Sequence, residues 1–329
     1  MIEACRGMLC YKATLFMKKR LLFIALAVVL LAGSISAQSA KLVIVYSDSL
    51  KSTQRTIRGI TSTIEQGCQN CEFHEFLLER NPDLITGQIS EIKAINPALI
   101  VTVGSMATQI VSDKITDRPI IFSAVLNPET SGFVKSLARP GKNITGASLD
   151  IPFDIQFTYF KQVIGNLKKI GVLYTTETAN LIPPAKALAH TEGLELEAIE
   201  VNSEKDIPSA LEKLINDVDG IWSVADAHIF TQRSTKYILL NTLRSGVPFM
   251  GFSRNLVESG ALFALDFDYK DIGRQSGEIA LRVLGGQPAS NIPVAVPRIR
   301  WFHYNEKTAK HINVKIPDEL VAVAKEVYR

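Results

Sequence analysis

Cysteine and histidine are scarce in this sequence, and the residue patterns of common catalytic sites do not occur. Its 329 residues include four cysteines and five histidines. There is no Gly-x-Ser-x-Gly elbow, no Walker phosphate loop, no Gly-x-Gly-x-x-Gly fingerprint and no His-Glu-x-x-His pair. The sequence therefore gives no support to hydrolase, nucleotide-dependent or zinc-protease chemistry. We expect neither an enzyme nor a bound cofactor.

The chain also lacks a strong excess of either charge. The full sequence has a formal net charge of +3, but five basic residues and one acidic residue fall within residues 1–37. The remainder has 31 basic and 32 acidic residues, a net charge of about −1. Because no basic arm is present to hold a phosphate backbone, nucleic acid is not expected as a partner.

The amino-terminal segment has the three-part pattern of a secretory signal peptide. The basic residues 18–20 precede an apolar run at 21–32, and small residues follow as far as Ala37. The run is shorter than the roughly 18–20 residues of a membrane-spanning helix, which disfavours the alternative of an anchor. We expect removal of residues 1–37, a periplasmic or other extracytoplasmic location, and a start of translation at Met1 or Met17.

Two of the cysteines, Cys5 and Cys10, lie in this leader. The others remain as Cys68-Gln69-Asn70-Cys71, between a predicted helix and a predicted strand. In an exported protein this spacing favours a small disulfide loop. A redox-active pair or half of a metal site would share the spacing, but His74 alone cannot complete a zinc site. No metal is expected.

Predicted strands and helices alternate from residue 41 onward. Strands separated by helices of this length predict parallel βαβ units and doubly wound α/β sheets. The first series has strands 42–46, 72–78, 98–103 and 119–125, with helices 53–66, 83–95 and 106–112. The second series has strands 170–174, 195–201, 220–224 and 248–252, with helices 153–164, 185–191, 207–216 and 231–245.

After the second series the sequence predicts a strand at 262–267, a long helix at 269–284 and another strand at 295–303. Two domains in tandem would not need these elements. They fit a chain that crosses back to the first lobe and then returns. The prediction is therefore two doubly wound parallel-sheet lobes joined by a hinge of three crossings, which permits closure around a ligand.

The stretch 118–150 joins the two series. It contains the strand 119–125, a turn at Asn127-Pro128, a predicted short helix at 130–137 and a strand at 143–149. Pro140-Gly141 forces the backbone to change direction, because proline fixes its own φ and the glycine after it can adopt φ values that other residues avoid. We interpret this corner as the lead-in to the strand that leaves the first lobe.

Several segments of the chain match a known signature. They are Pro119-Ile120-Ile121-Phe122, Asn127-Pro128, Ser131-Gly132-Phe133-Val134, Leu137, Arg139-Pro140-Gly141, Asn143-Ile144-Thr145-Gly146, Lys169-Ile170-Gly171-Val172-Leu173-Tyr174, Gly260-Ala261-Leu262, Asp268-Tyr269, Ile272-Gly273-Arg274-Gln275 and Ile292-Pro293. Through them the chain resembles, over about residues 41–329, a bacterial family of substrate-binding proteins that serve ABC-type importers. Some members of that family are associated with aromatic amino acids.

The resemblance implies a type I periplasmic-binding-protein fold. The N-terminal lobe is then expected to contain residues 41–147 and 267–292, and the C-terminal lobe residues 148–266 and 293–329. It also implies an ABC permease in the inner membrane as the partner, with the binding protein itself a monomer.

Candidate ligand-binding residues follow from the rule that open parallel sheets bind ligands beyond the carboxyl ends of their strands. In the first lobe these are Ser47, Asp48, Gly104, Ser105, Met106, Ala124 and Asn127. In the second lobe they are Tyr174, Thr175, Glu177, Asn180, Asp226, Ser253 and Asp266. Some roles stay open here: Ser105 either caps the next helix or contacts the ligand, Asp226 either forms a turn or contacts the ligand, and Asp266 is either a ligand contact or a hinge residue.

The candidate residues match the family pattern only in part. Asn180 agrees with it, and Asp226 corresponds to a family aspartate in a ligand-facing loop. The departures are Asn127 where Asp usually precedes Pro, Thr175 in place of Asn, Leu181 in place of Ser, and Glu177 displaced by one position. They leave the ligand open among amino acids, small organic acids and other metabolites.

The sequence therefore predicts an exported solute-binding protein that captures a small molecule by hinge closure and passes it to an ABC importer. Two alternatives stay open. A protein of the same fold would signal to a membrane receptor and transport nothing. An exported two-domain α/β enzyme would turn its ligand over, and His228 beside Asp226 is the histidine placed to act as its base, although no nucleophile is visible to partner it.

Overall fold

The structure, a computed structural model, describes residues 39–329. The predicted signal peptide (residues 1–37), with Met17, Cys5 and Cys10, lies outside the described residues. Within 39–329, no helix has both the length and the apolar character needed to cross a membrane.

The first part of the chain forms a five-stranded sheet, which we call the first sheet. Its central strand, LIVTV, is entirely buried, as expected for a parallel strand covered on both faces. The strands are Ala40–Tyr46 (β1), Cys71–Leu77 (β2), Leu99–Val103 (β3), Ile120–Val125 (β4) and Ile144–Ser148 (β5), in the order β2-β1-β3-β4-β5. The pairs β1–β3, β3–β4 and β4–β5 are parallel. The helices between them are Lys51–Gly67 (α1), Pro82–Ile95 (α2) and Ser105–Lys114 (α3).

The second sheet has seven strands. They are Lys169–Tyr174 (β6), Glu195–Glu200 (β7), Gly220–Trp222 (β8), Phe249–Gly251 (β9), Phe263–Phe267 (β10), Arg300–Asn305 (β11) and Ala324–Tyr328 (β12), in the order β12-β11-β10-β9-β8-β6-β7. All neighbouring pairs are parallel except β10–β11, which is antiparallel. The predicted α/β class with parallel sheets is confirmed.

The remaining helices complete the layers. They are Phe153–Val163 (α4), Ile182–Thr191 (α5), Ile207–Ile215 (α6), Gln232–Arg244 (α7), Arg254–Glu258 (α8), Tyr269–Leu284 (α9), Glu306–His311 (α10) and Asp318–Val323 (α11). Trp222 is 1% exposed in the core of the second sheet, and its indole nitrogen donates to Gln156 Oε1 at 2.7 Å.

Helix α9 has the bounds that the sequence predicts, and it packs on the first sheet although it follows a strand of the second. Asp268 begins it by accepting a hydrogen bond from the Lys270 N–H at 2.9 Å. Its contact with α1 is backbone against backbone. A Cβ at Gly59 would lie 2.1 Å from the Lys270 carbonyl oxygen, and one at Gly273 would lie 2.1 Å from the Thr56 carbonyl oxygen.

The strand predicted at 295–303 is divided between the two sheets. Ala295 forms a parallel bridge with Ala147 of β5, whereas Arg300–Asn305 pairs antiparallel with β10. Pro297, which has no backbone N–H to donate, lies between the two parts. The single predicted strand is therefore wrong, and this segment is itself a passage between the sheets.

The short helix predicted at 130–137 is also wrong, because this segment is a series of turns. Backbone N–H groups of Gly132 and Phe133 donate to Glu129 and Pro128. Gly132 has φ of 74°, outside the helical region, which prevents the first turn from continuing. The predicted corner at Gly141 does have the left-handed φ, at 70°.

Cys68 and Cys71 are joined by a disulfide that closes the turn between α1 and β2, with their Cα atoms 5.7 Å apart. Neither residue lies at the carboxyl end of a strand, so the bridge belongs to the connection rather than to the candidate ligand site.

We predict that Gly273→Ala lowers the free energy of unfolding by about 2 kcal/mol, because the new methyl group collides with the backbone of α1. Gly87→Ala is the matched control, since a Cβ there meets nothing within 4 Å and alanine favours helix by up to about 1 kcal/mol. Urea unfolding of both variants measures the difference. Equal stabilities would contradict the close helix contact.

Candidate functional site

The carboxyl ends of β1, β3 and β4 are neighbours in the first sheet, and we call this border the first edge. Ser47 and Asp48 follow β1 there. The Asp48 carboxylate accepts hydrogen bonds from the Leu50 N–H at 2.9 Å and from Thr53 Oγ1 at 2.6 Å. Asp48 thereby secures the start of α1, and one of its oxygens is already occupied.

Gly104 lies at the centre of the first edge, between β3 and α3. It is the N-cap residue of α3, with φ of 87°, a conformation that favours glycine. No side chain caps this helix, so of the two roles left open for Ser105 the structure does not show the cap. Ser105 is instead the first helical residue, and both it and Met106 are exposed. The N–H groups of Ser105 and Met106 therefore have no side-chain cap and belong to exposed residues.

The end of β4 has unusual backbone geometry. Ala124 and Asn127 have φ of 55° and 50°, and β4 shifts its register against β5 between Ser123 and Val125. Left-handed non-glycine residues cost energy and concentrate at functional sites. Both residues lie at the first edge, among the residues that the sequence predicts to contact the ligand.

Asp150, which the sequence analysis missed, holds this bend in place. Its carboxylate accepts the Asn127 N–H at 2.8 Å and the Ser148 hydroxyl at 2.7 Å. Burial raises the pKa of Asp150 to about 6, and these two hydrogen bonds only partly offset the effect. The sequence signal for this role is an acidic residue two positions after β5, where the chain leaves the first sheet.

In the second sheet β6 and β8 are neighbours, and we call the border formed by their carboxyl ends the second edge. Asp226, 3% exposed, connects the loops that follow them. Its carboxylate accepts five hydrogen bonds, from the Thr175 N–H and hydroxyl, the Thr178 hydroxyl, and the N–H groups of His228 and Ile229. Tyr174, at the end of β6, is partly exposed beside them.

This network settles the local role of Asp226. Burial acts to raise its pKa, but the hydrogen bonds from Thr175, Thr178 and the two backbone N–H groups prevail and lower it. The carboxylate is therefore ionised and satisfied within its own loops. The Thr175-x-x-Thr178 spacing is the sequence signal for this arrangement, since short hydroxyl side chains favour such turns.

Glu177 and His228 project from the same two loops. His228 Nε2 lies 2.9 Å from Glu177 Oε1, while the side chains are 66% and 63% exposed. The hydrogen bond to Glu177 and its negative charge raise the pKa of His228, and the charge of Asp226 adds to this. Asn180 is exposed in the short 3₁₀ turn Ala179–Leu181 that follows.

The last two candidate residues lie further along the second sheet. Ser253 precedes the short helix α8 without forming a side-chain cap. Asp266 is partly buried in β10, and its carboxylate accepts the Phe267 N–H at 2.8 Å. Burial raises the pKa of Asp266.

The structure thus brings together Thr175, Glu177 and Asp226 at the second edge, with Thr178 and His228 added. At the first edge Asp48, Gly104 and Asn127 follow neighbouring strands. Within residues 39–329, no group of three or more His, Cys, Asp or Glu side chains is arranged to hold a metal ion.

We predict that Asp226→Asn lowers the free energy of unfolding by about 2 kcal/mol at pH 7, because hydrogen bonds to a charged acceptor are lost. Folding lowers the pKa of Asp226. The stabilisation by its carboxylate is therefore fully present above the pKa of the unfolded state, about 3.9, and is lost as the pH falls through the pKa of the folded state. The difference from wild type should therefore shrink between pH 7 and pH 3. Asp318→Asn, with an 86% exposed side chain, is the control. Equal stability of Asp226→Asn and wild type at pH 7 would contradict this role.

Comparison with solved structures supports the fold. A domain from Streptococcus pneumonia in complex with L-tryptophan is 25% identical, with a TM-score of 0.64 over 88% of this chain and 100% of that one. The ligand-free, open structure of a substrate-binding protein with adhesive properties from Clostridium difficile is 21% identical, with a TM-score of 0.73 over 88% of this chain and 99% of that one. The predicted type I periplasmic-binding-protein fold is confirmed.

Comparison of sequences identifies the family. A tyrosine-binding protein from Clostridioides difficile (strain R20291) is 28% identical over 220 residues, 66% of this chain. That match spans 63% of the relative's own length. The model of the family of ABC transporter substrate binding proteins matches residues 40–328, which includes both sheets. The chain belongs to the ABC transporter substrate binding protein family.

Proposed function

We propose that this protein captures a small molecule, most specifically an amino acid, between two lobes and delivers it to an ABC permease. The observation that carries the proposal is the family membership, which extends from β1 to β12. Relatives that are named for tyrosine or solved with L-tryptophan support the choice of an amino acid. We also propose that the protein acts outside the cytoplasm, because binding proteins of ABC importers act there. That the chain catalyses no reaction stays a prediction.

The two sheets support a division into lobes close to the predicted boundaries. The first sheet lies within residues 40–148, and α9 within residues 267–292 packs on it. The seven strands of the second sheet lie within residues 169–267 and 300–328, whereas Ala295, in the predicted C-terminal lobe, still pairs with Ala147 of the first sheet. The chain changes sheet between β5 and β6, between β10 and α9, and between Ala295 and β11. These passages are the proposed hinge.

The first edge offers an apolar surface for a ligand side chain. Leu50, Met106 and Leu126 follow β1, β3 and β4, and they are 62%, 64% and 39% exposed. Covering an apolar side chain contributes about 1.5–3 kcal/mol. A micromolar dissociation constant requires about 8 kcal/mol, so polar groups must supply the larger share.

The polar groups lie on both edges. The open amide groups of α3 suit the ligand carboxylate, because a helix N-terminus favours negative charge. Asn127 from the first edge and Asn180 from the second provide amide groups that both donate and accept. A ligand that bridges the two edges stabilises the closed state by its greater affinity for that state.

We expect residues 39–329 to bind L-tryptophan or L-tyrosine with a micromolar or lower dissociation constant in titration calorimetry. Asn127→Gly and Asn180→Ala should each weaken binding about tenfold, equivalent to one lost hydrogen bond of about 1.4 kcal/mol. Glycine is chosen at Asn127 because it keeps φ of 50° accessible.

The matched control is Asn313→Gly, which removes another left-handed asparagine, with φ of 56°, that lies away from both edges. It should leave affinity unchanged. Unchanged affinity in both Asn127→Gly and Asn180→Ala would refute the bridging role of the two edges. A folded protein that binds no amino acid would refute the proposed ligand class.

A further inference from the structure

Most carboxylates among the candidate residues are already engaged within the protein. Asp48 accepts two hydrogen bonds on one oxygen at the start of α1, and Asp226 accepts five from its own loops. Asp266 is partly buried in β10, and its carboxylate already accepts the Phe267 N–H at 2.8 Å. An amino acid brings an ammonium group that needs an accessible carboxylate acceptor.

Glu177 is such an acceptor. Its side chain is 63% exposed at the second edge, and its Oε1 lies 2.9 Å from His228 Nε2. Exposed ion pairs of this kind contribute little stability, so a ligand can replace the imidazole at small cost. Asp226 also joins the two loops that carry the pair, because it accepts the Thr175 N–H from one loop and the His228 N–H from the other.

We propose that Glu177 receives the ammonium group of the ligand, and that His228 is a resident counter-cation which the ligand displaces. This inference rests on the proposed function, since it assumes an amino acid as the ligand. His228 is then a positioning and competing group rather than a ligand contact.

The pair makes binding depend on pH. Two ionisable groups face His228: Glu177 from the loop after β6, and Asp226 from its own loop. The hydrogen bond and charge of Glu177, with the charge of Asp226, raise the pKa of His228. Below that pKa the imidazolium competes with the ligand for Glu177. As the pH rises through it, the imidazole becomes neutral, and affinity for an ammonium ligand increases.

The test is calorimetry of residues 39–329 with L-tryptophan, L-tyrosine and the des-amino analogue 3-(indol-3-yl)propionate at pH 5.5 and pH 8. In wild type, affinity for the amino acids should rise at least about threefold with pH, equivalent to about 0.65 kcal/mol. His228→Asn should abolish that rise and improve binding at pH 5.5. Glu177→Gln should weaken amino-acid binding at least about tenfold at pH 8, with little effect on the analogue.

The chain offers a matched control pair. His74 Nε2 lies 3.2 Å from Glu72 Oε1 in β2, away from the strand ends of the first edge. Glu72→Gln and His74→Asn should leave both affinity and its pH dependence unchanged. Asp266→Asn tests the rival acceptor and should weaken amino-acid binding less than Glu177→Gln does.

Three results would overturn the inference while the proposed function stands. These are unchanged amino-acid affinity in Glu177→Gln, a larger loss in Asp266→Asn, or a His228-dependent affinity that falls as the pH rises. The last would mean that His228 holds the ligand carboxylate. A folded wild-type protein that binds neither amino acid refutes the amino-acid ligand itself, and the role of Glu177 with it.

Discussion

The close contact between α1 and α9 is the constraint on which the rest of the architecture depends. Gly59 and Gly273 allow the two backbones to approach so closely that a methyl group on either would collide with the carbonyl oxygen of the other helix. Helix α9 enters from β10 of the second sheet, and the chain returns to that sheet as β11. By holding α9 on the first sheet, the glycines create two of the passages between the sheets.

Charged side chains form contacts at each passage between the sheets, on the side of the first sheet. Asp150 connects the first passage to the bend at Asn127, and Arg55 of α1 pairs with Asp268 at the second, at 3.3 Å. Arg298 in the third lies 2.9 Å from both Asp271 and Glu278 of α9. These contacts place the bend at Asn127, which belongs to the candidate site, in direct contact with a passage.

Sequence patterns predicted what is local and failed where distant pairing decides. The bounds of α9 follow from the Asp268 cap and the Gly285-Gly286 end. The segment 295–303 reads as one strand, because alternation does not reveal that its halves pair with different sheets. Likewise the strand ends identified the candidate residues but not their roles. The partners of Asp226 and Glu177 lie up to 51 residues away, so only the folded chain shows that one is saturated and the other accessible.

Closure of two lobes on a ligand that stays chemically unchanged can be measured by small-angle X-ray scattering of residues 39–329, with and without saturating L-tryptophan. We expect a smaller radius of gyration in the bound state, with L-tryptophan recovered chemically unchanged. Identical scattering profiles for the free protein and for protein shown by calorimetry to be saturated would contradict it.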